Sequence, residues 1–397
     1  MRSHTTRRKF IGTAAALPAV GAARTKPEPT LAGAEVYTRF GVRPFINGVG
    51  TVTVYGGSLM PPEVVRAMDE ASRYFVMVPE LQRKAGEHLA KLIGVPAAMV
   101  TAGAASSITV ATTACVIRND PSKLPMLPDT TGLPNEVIQP KAHRSGYEAQ
   151  IRLVGAKVIE VETVEELESA IGPRTAMLFY MNRADGEGRI SRQDFLRIGK
   201  ERNVPTFNDA AADVPPVSRL SSIVKEGFDL VAFSGGKGMR GPQSTGLLLG
   251  RKDLIEAAMP AISPAGGIGR GMKVGKEEIV GLVAAVERFL RLDHQAEWRM
   301  LENCVADIIH VVSSVPGVKA VQEVPKIANE IPHVAVSWDE SERKLTAQQA
   351  LEQLRDGEPS IAVLPRGKGQ LLISVWMMQA NEHKTVARRL REIFAAA

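Results

Sequence analysis

Residues 228–250, FDLVAFSGGKGMRGPQSTGLLLG, decide the fold. The apolar run at 230–233 predicts a buried strand, and a second apolar run at 245–249 predicts another. Between them, Ser-Gly-Gly leads into a turn with one lysine, Lys237. A lysine in a turn of so little bulk between two core strands suits a buried amine, whose pKa shifts readily and which forms Schiff bases. The alternative is a solvated lysine in a surface turn.

The composition is that of a globular protein with one large or two medium domains. The 397 residues are 44% hydrophobic and 23% charged, and the net charge is +6. Four basic residues lie in the first 23, which contain no acid, so the remainder carries +2. This charge does not require a nucleic-acid partner. Cys115 and Cys304 lack metal-ligand spacing and are expected to be free thiols, and no zinc motif predicts a metal site.

The first 23 residues predict a signal peptide of the twin-arginine type. Arg7 and Arg8 are followed by Phe10 and by an alanine-rich segment that is too short for a stable membrane anchor. Cleavage is expected near Ala22 or Ala23, which predicts a periplasmic protein. An ordinary alanine-rich helix is the alternative.

Strands and helices alternate from about residue 98, which predicts a mainly parallel sheet with helices on both faces. The stretch 98–117 predicts a strand, a turn of small residues and a helix. The start of that helix, Gly103–Ser107, offers free backbone N–H groups to an anion, although tight helix packing explains the small residues equally well. Residues 118–140 are proline-rich and are predicted to form a loop. Capping boxes at Thr163 and Ser191 predict two further helix starts.

Two kinds of candidate side chain follow the predicted strands. Asp209 and Asp213, in NDAAAD, come at the carboxyl end of a strand, where open α/β sheets bind their ligands. His143, in KAHRSGY, comes before a helix that is predicted from about Arg144. Such a lone histidine is more often structural than catalytic.

The C-terminal part predicts a smaller α+β domain after a long helix from about Lys276. Its pattern contains strands near 334–338, 360–364 and 370–375 and helices at 347–355 and 384–394. The predicted division is a signal peptide at 1–23, an N-terminal arm at 24–62, a large domain at 63–285 and a small domain at 286–397.

The motifs TAGAAS, HRSGY, NDAAAD and FSGGKGMRGPQSTGLLLG, in this order, resemble fold-type I pyridoxal-phosphate enzymes. Within them, the chain is similar to the selenocysteine synthase-like group that includes D-glucosaminate-6-phosphate ammonia-lyase. The resemblance covers about residues 35–295 well and the C-terminal domain only in outline. It implies an α/β fold with a mainly parallel seven-stranded sheet, and pyridoxal phosphate as the cofactor.

The resemblance also implies roles for particular residues. Lys237 is the lysine that forms the Schiff base, Asp209 pairs with the pyridine nitrogen, and His143 stacks on the ring. The cofactor phosphate is held by four residues with small side chains, Gly103, Ala104, Ala105 and Ser234.

The substrate is expected to be anionic, because the glycine-rich loop 266–275 is basic. Arg270 and Lys273 match a basic motif of the group, in which lysine here replaces the usual arginine and weakens bidentate recognition. Arg366, in the turn LPRGKG, is a second candidate for binding the substrate carboxylate; a solvated surface charge is the alternative.

The expected function is that of a lyase that releases ammonia from an amino acid or amino-sugar acid with a leaving group at Cβ. Transamination, aldol cleavage, racemisation or a selenocysteine synthase-like transfer on the same cofactor are alternatives, as is a non-catalytic binding protein. The chain lacks the extra N-terminal domain that selenocysteine synthase uses for tRNA, so small-molecule chemistry is favoured. At least a homodimer is expected, because in this fold a partner subunit commonly completes the active site.

Overall fold

The computed structural model describes residues 34–397. The described residues divide between Pro44 and Phe45, and Phe45–Ala397 form one compact unit. The predicted signal peptide lies outside the described residues, as does the first part of the predicted arm. None of the helices in residues 34–397 is long and apolar enough to span a membrane.

The described residues contain twelve strands and fourteen α-helices. The strands are β1 Ile46–Gly48, β2 Ala97–Thr101, β3 Glu136–Pro140, β4 Lys157–Val161, β5 Thr175–Met181, β6 Thr206–Asp209, β7 Leu230–Ser234, β8 Gly246–Gly250, β9 Val318–Glu323, β10 His333–Trp338, β11 Ile361–Gly367 and β12 Gln370–Ser374. The helices are α1 Glu35–Thr38, α2 Pro62–Ser72, α3 Val78–Ile93, α4 Gly103–Val116, α5 Glu148–Leu153, α6 Val164–Ala170, α7 Arg192–Glu201, α8 Arg219–Glu226, α9 Lys252–Ala258, α10 Lys276–Arg291, α11 His294–Val312, α12 Glu340–Arg343, α13 Ala347–Asp356 and α14 Glu382–Ala396.

Seven strands form the large sheet, in the order β2-β8-β7-β6-β5-β3-β4. Every neighbouring pair from β7 to β4 is parallel, whereas β8 runs antiparallel to both β7 and β2. The prediction of a mainly parallel, seven-stranded sheet is therefore confirmed. Because parallel strands end at the same edge, the loops that follow them lie close together.

Side chains alternate between the two faces of this sheet, as the period of two requires. In β5, Phe179 belongs to the apolar cluster that includes α4 and α9, whereas Tyr180 belongs to the cluster on the other face with α3, α7 and α10. Both side chains are fully buried. Burying the sheet on both faces explains why its strands are continuously apolar in sequence.

Five strands form the small sheet, in the order β1-β11-β12-β10-β9. A third apolar cluster packs α11, α13 and α14 against it. Strand β1 comes from the predicted N-terminal arm and pairs parallel with β11, Ile46 opposite Ile361. Helix α10 packs on α2 and α3, whereas α11 packs on α14, so the change of packing partner falls between α10 and α11. The predicted domain limits stay predictions.

Several local expectations were met. Thr163 and Ser191 accept the backbone N–H of Glu166 and Asp194, as N-caps do. Cys115 and Cys304 are free thiols.

Two expectations about local structure were wrong. The end of the proline-rich stretch forms β3 inside the large sheet, and the helix expected from about Arg144 is the shorter α5.

Candidate active site

The predicted cofactor residues meet along the carboxyl edge of the large sheet. Ser234, the last residue of β7, pairs with Gly246 of β8. Asp209, the last residue of β6, lies opposite Ala232 of β7. A side chain at Gly246 would collide with Gly103, because its Cβ would lie 2.3 Å from the Gly103 carbonyl carbon. The start of α4, the end of β7 and the end of β6 are thus immediate neighbours.

His143 joins this edge from the other side. The residue follows β3, and its Nδ1 accepts the backbone N–H of Met181 at 3.3 Å. Met181 lies opposite Asp209 in the pairing of β5 with β6. Three consecutive parallel strands therefore bring His143 and Asp209 to the same place.

Lys237 lies in the turn after β7, held by close backbone approaches. A Cβ at Gly238 would lie 2.1 Å from the Val214 carbonyl oxygen, so the turn can only pack as it does with glycine there. The hydroxyl of Ser58 donates to the Gly236 carbonyl at 2.8 Å and ties the N-terminal loop to the turn. The sequence expectation of a lysine in a close-packed turn agrees with this geometry.

Burial lowers the pKa of the Lys237 amine, while the charges of Asp209 and Asp213 oppose that effect. Lowering the pKa of an amine raises the fraction that is neutral, and the neutral amine is the form that attacks a carbonyl. A buried amine of this kind suits covalent catalysis better than a surface charge pair.

Asp209 is 4% exposed, and burial raises the pKa of its carboxyl to about 6. The backbone N–H of Ala211, which donates to Oδ1 at 3.1 Å, and the charge of Lys237 act in the opposite direction. Asp213 is 1% exposed, and burial raises its pKa as well. Two buried carboxylates therefore lie within electrostatic reach of one amine.

His143 is completely buried, with its ring edge-on to Tyr180 at 4.3 Å between centroids. Burial lowers the pKa of His143 to about 4, against the opposing charge of Asp185. Because Nδ1 accepts a hydrogen bond, the ring is neutral and its proton sits on Nε2. Nε2 is buried and has no hydrogen-bond partner in the described part of the chain.

The start of α4 has the features of a phosphate site. Its N-cap, Ala102, offers no side-chain cap, and the first turn contains no acid. Gly103 adopts φ +80°, and a Cβ there would meet nothing within 4 Å. An uncapped N-terminus of a 14-residue helix with open space before it suits a dianion. Ala104 and Ala105 supply the next two N–H groups.

These residues fit pyridoxal phosphate, the cofactor that the resemblance implies. The uncapped helix suits the phosphate, the buried carboxyl of Asp209 suits the pyridine nitrogen, and the buried amine of Lys237 suits the carbonyl carbon. The roles given to single residues by resemblance stay predictions.

The predicted substrate residues are all exposed. Arg270 and Lys273 are exposed in the loop that precedes α10, and Arg270 donates to the Ser263 hydroxyl at 3.1 Å. Arg366 is exposed near the end of β11 and forms an ion pair with Glu323. That pair has to open before Arg366 can bind a substrate carboxylate.

Sequence reasoning missed the turn that follows β5. Asn182 is buried, and its Oδ1 accepts from Arg192 at 2.7 Å and from Asn208 at 3.2 Å. Its neighbour Arg183 acts electrostatically on both Asp209 and Lys237. The signal was present, since a polar pair directly after a seven-residue apolar strand lies at the edge where such sheets bind ligands.

Comparison with known proteins agrees with the site. The family model described as aminotransferase class-V matches residues 63–278, the stretch that carries the predicted cofactor residues. The D-glucosaminate-6-phosphate ammonia lyase of Salmonella typhimurium is 32% identical over 374 residues, which cover 90% of this chain and 97% of that protein. The 5'-C-glycyluridine monooxygenase-decarboxylase of a Streptomyces species is 31% identical over 373 residues, 90% of this chain and 91% of that protein.

The fold agrees as well. A solved structure of D-glucosaminate-6-phosphate ammonia-lyase superposes with a TM-score of 0.80 and 30% identity, over 91% of this chain and 98% of that one. This similarity extends beyond the large sheet and includes the small C-terminal sheet.

Proposed function

Since the chain belongs to the aminotransferase class-V family, we propose that it is a pyridoxal-phosphate-dependent ammonia-lyase for an amino-sugar acid or a related amino acid. The family uses this cofactor, and the chain is an enzyme. The observation that carries the proposal is the buried amine of Lys237 beside the buried carboxyl of Asp209, in a chain that is similar over nine-tenths of its length to an ammonia lyase.

In this mechanism Lys237 has two tasks. Its neutral amine would hold the cofactor and, once displaced by the substrate amine, would take the proton from the substrate Cα. Pyridoxal phosphate, when bound, supplies the electron sink for the charge that develops at Cα. Asp209 would keep a proton on the pyridine nitrogen, and the neutral ring of His143 would support the other face of the site without changing its charge. The β-hydroxyl would then leave as water with the proton that Lys237 holds, and addition of one water at Cα with breakage of the C–N bond would release ammonia and a 2-keto acid.

The experiment that tests the proposal is a panel of amino acids and amino-sugar acids, with and without a 6-phosphate, added to the purified holoenzyme. Ammonia and keto acid should form in equal amounts from a substrate with a β-hydroxyl and not from its 3-deoxy analogue. Asp209→Ala should keep part of the cofactor but lose most of the activity. Keto acid without free ammonia would indicate transamination instead.

A second candidate function is favoured by one finding, the nearly equal identity to the monooxygenase-decarboxylase. An enzyme of that kind would consume dioxygen and release carbon dioxide from the substrate carboxylate. Measuring oxygen uptake in the same assays separates the two, because elimination consumes none.

We also propose that the enzyme acts as a homodimer. Two stretches of residues 45–397 expose large apolar side chains, namely Val52, Val54, Tyr55, Leu59 and Met60 in the first and Tyr74, Phe75, Val76 and Met77 in the second. Exposed apolar side chains in such number favour a protein partner. The first stretch includes Ser58, whose hydroxyl donates to the Gly236 carbonyl in the Lys237 turn. A partner bound to this stretch would therefore lie next to the candidate active site.

Periplasmic location is likewise a proposal, supported by the Arg7-Arg8 pattern alone. The twin-arginine route carries folded proteins, which would allow the cofactor to be loaded before export.

Arg270, Lys273 and Arg366 are proposed to bind anionic groups of the substrate.

A further inference from the structure

We propose that Arg183 binds the α-carboxylate of the substrate and so selects amino acids over amines. The inference rests on the proposed function, because it takes the ligand to be an amino acid or an amino-sugar acid. It adds a recognition residue in the turn that follows β5, one that belongs neither to the basic loop at 266–275 nor to the strand of Arg366.

The position of Arg183 follows from strand register. Met181 ends β5 directly opposite Asp209, and residues Asn182–Ala184 form a single 3₁₀ turn just beyond it. Asn182 and Ala184 are buried at 4% and 6% exposure, whereas Arg183 is exposed. The two buried neighbours anchor the turn, and the arginine between them is the side chain that solvent and substrate can reach.

The two buried carboxyl groups of the site favour a cation beside the turn that follows β5. Asp209 and Asp213 are both buried near Lys237, and each carboxylate disfavours the addition of a further negative charge. A substrate carboxylate that enters beside them needs a compensating positive charge. The charge of Arg183 is felt by both Asp209 and Lys237, which places the guanidinium at the same end of the sheet as the reacting groups.

Other arginines around the site already have carboxylate partners. Arg192 pairs with Asp185 and Glu226, Arg219 with Glu330, and Arg240 with Glu297. Arg183 forms no ion pair with any described residue. An arginine offers two parallel N–H donors to a carboxylate, so an unpaired one at the mouth of the site suits this ligand. Arg270 and Lys273 remain available for a different anionic group of the same substrate.

The test compares two ligands that differ only in this group. 2-Amino-2-deoxy-D-gluconate carries the carboxylate, and 2-amino-2-deoxy-D-glucitol has a hydroxymethyl group in its place; both are used with and without a 6-phosphate. Binding to the holoenzyme is followed by the change in the cofactor's absorbance, a readout that does not need turnover. We expect Arg183→Ala to weaken binding of the acid about 10- to 100-fold, as loss of a charged hydrogen-bonded pair does. Binding of the alcohol should stay unchanged.

Arg183→Lys should recover part of the loss, since it restores charge but not the paired donors. Arg189→Ala is the matched control, because Arg189 is exposed in the same loop and should leave the binding of both ligands unchanged. Equal weakening of acid and alcohol, or no weakening of either, would overturn the role of Arg183.

A second measurement does not depend on the proposed reaction. Phenylglyoxal modifies accessible arginines, and peptide masses identify which ones. Propionate should slow modification of Arg183 in the holoenzyme and should not slow that of Arg189. If no amino acid binds but propionate protects Arg183, the proposed function fails and the carboxylate site stands. If amino acids are turned over and propionate gives no protection, the proposed function stands and the carboxylate site at Arg183 fails.

Discussion

The backbone N–H of Ala328 donates to Oδ1 of Asp213 at 3.0 Å. Ala328 lies in the loop between β9 and β10 of the small sheet, whereas Asp213 follows β6 of the large sheet. Next to it, Asn329 donates its N–H to the Ala212 carbonyl at 3.1 Å. A loop of the small sheet thus contacts the segment that carries the buried carboxylates of Asp209 and Asp213.

Asp213 should control the basicity of Lys237. Its negative charge raises the pKa of the Lys237 amine, so Asp213→Asn should lower that pKa further. The measurement is the pH dependence of acetylation of Lys237 in the cofactor-free protein, followed by peptide mass. Asp194→Asn, at a partly exposed position in α7, is the control and should leave the curve in place. An unchanged curve in Asp213→Asn would show that the two groups are uncoupled.

Lys237 should carry the cofactor. Borohydride reduction of the holoenzyme should fix pyridoxyl mass on the peptide that contains Lys237, and Lys237→Ala should lose both that mass and all measurable turnover. Lys225→Ala, in α8, should retain both. Label on any other lysine would refute the assignment.

His143 should make the protein less stable in acid. Its pKa is about 4 in the folded chain and about 6.5 when unfolded, so below pH 6.5 the unfolded chain binds more protons. The stability that depends on the neutral ring is present above pH 6.5 and is lost as the pH falls towards 4. Urea unfolding of the cofactor-free protein should show this loss, up to about 1.4 kcal/mol per pH unit, relative to His143→Phe. Parallel pH curves for the two proteins would contradict it.

Phe75 should lie in a subunit interface. The side chain is fully exposed in one chain, so Phe75→Glu would bury an unpaired charge in a dimer and should yield monomers. Sedimentation velocity measures the change, and Met300→Glu, half-exposed in α11, is the control. A wild-type protein that sediments as a monomer would exclude the proposal.

The leader should direct export. Replacing Arg7 and Arg8 by lysine keeps the charge but removes the twin-arginine signal, so the protein should stay in the cytoplasm with its cofactor bound and its activity intact. Fractionation and N-terminal sequencing measure the outcome. Export of the replaced protein, or a mature chain that begins at Met1, would disprove the targeting prediction and leave the cofactor assignment untouched.

Sequence patterns predicted the large sheet because its strands are buried on both faces and are continuously apolar. They failed for strands that pair with distant parts of the chain and for strands whose own residues do not favour a strand. Strand β1 has three residues, and its identity depends on β11, far away in sequence. Strand β3 was hidden by the prolines around it, and β9 alternates apolar and polar residues too briefly to stand out.

The site was predictable to the extent that its residues sit in short motifs. Lys237 and Asp209 lie in the turn and strand end that sequence indicated. The ion pair of Arg366 with Glu323 could not be read from sequence, because it joins β11 and β9, whose places in the small sheet the sequence does not reveal. Arg183 was overlooked although it follows a long apolar strand, because its nearness to the site becomes clear only when the register places Met181 opposite Asp209.

The pairing of β1 with β11 has a consequence for synthesis of the chain. Ile46 leaves the ribosome roughly 300 residues before its partner Ile361. The edge of the small sheet can therefore close only when translation is almost complete, after the large sheet has had time to fold. A ribosome that stalls soon after Ile361 is added would leave a nascent chain with Lys237 already emerged and with β1 and β11 still unpaired.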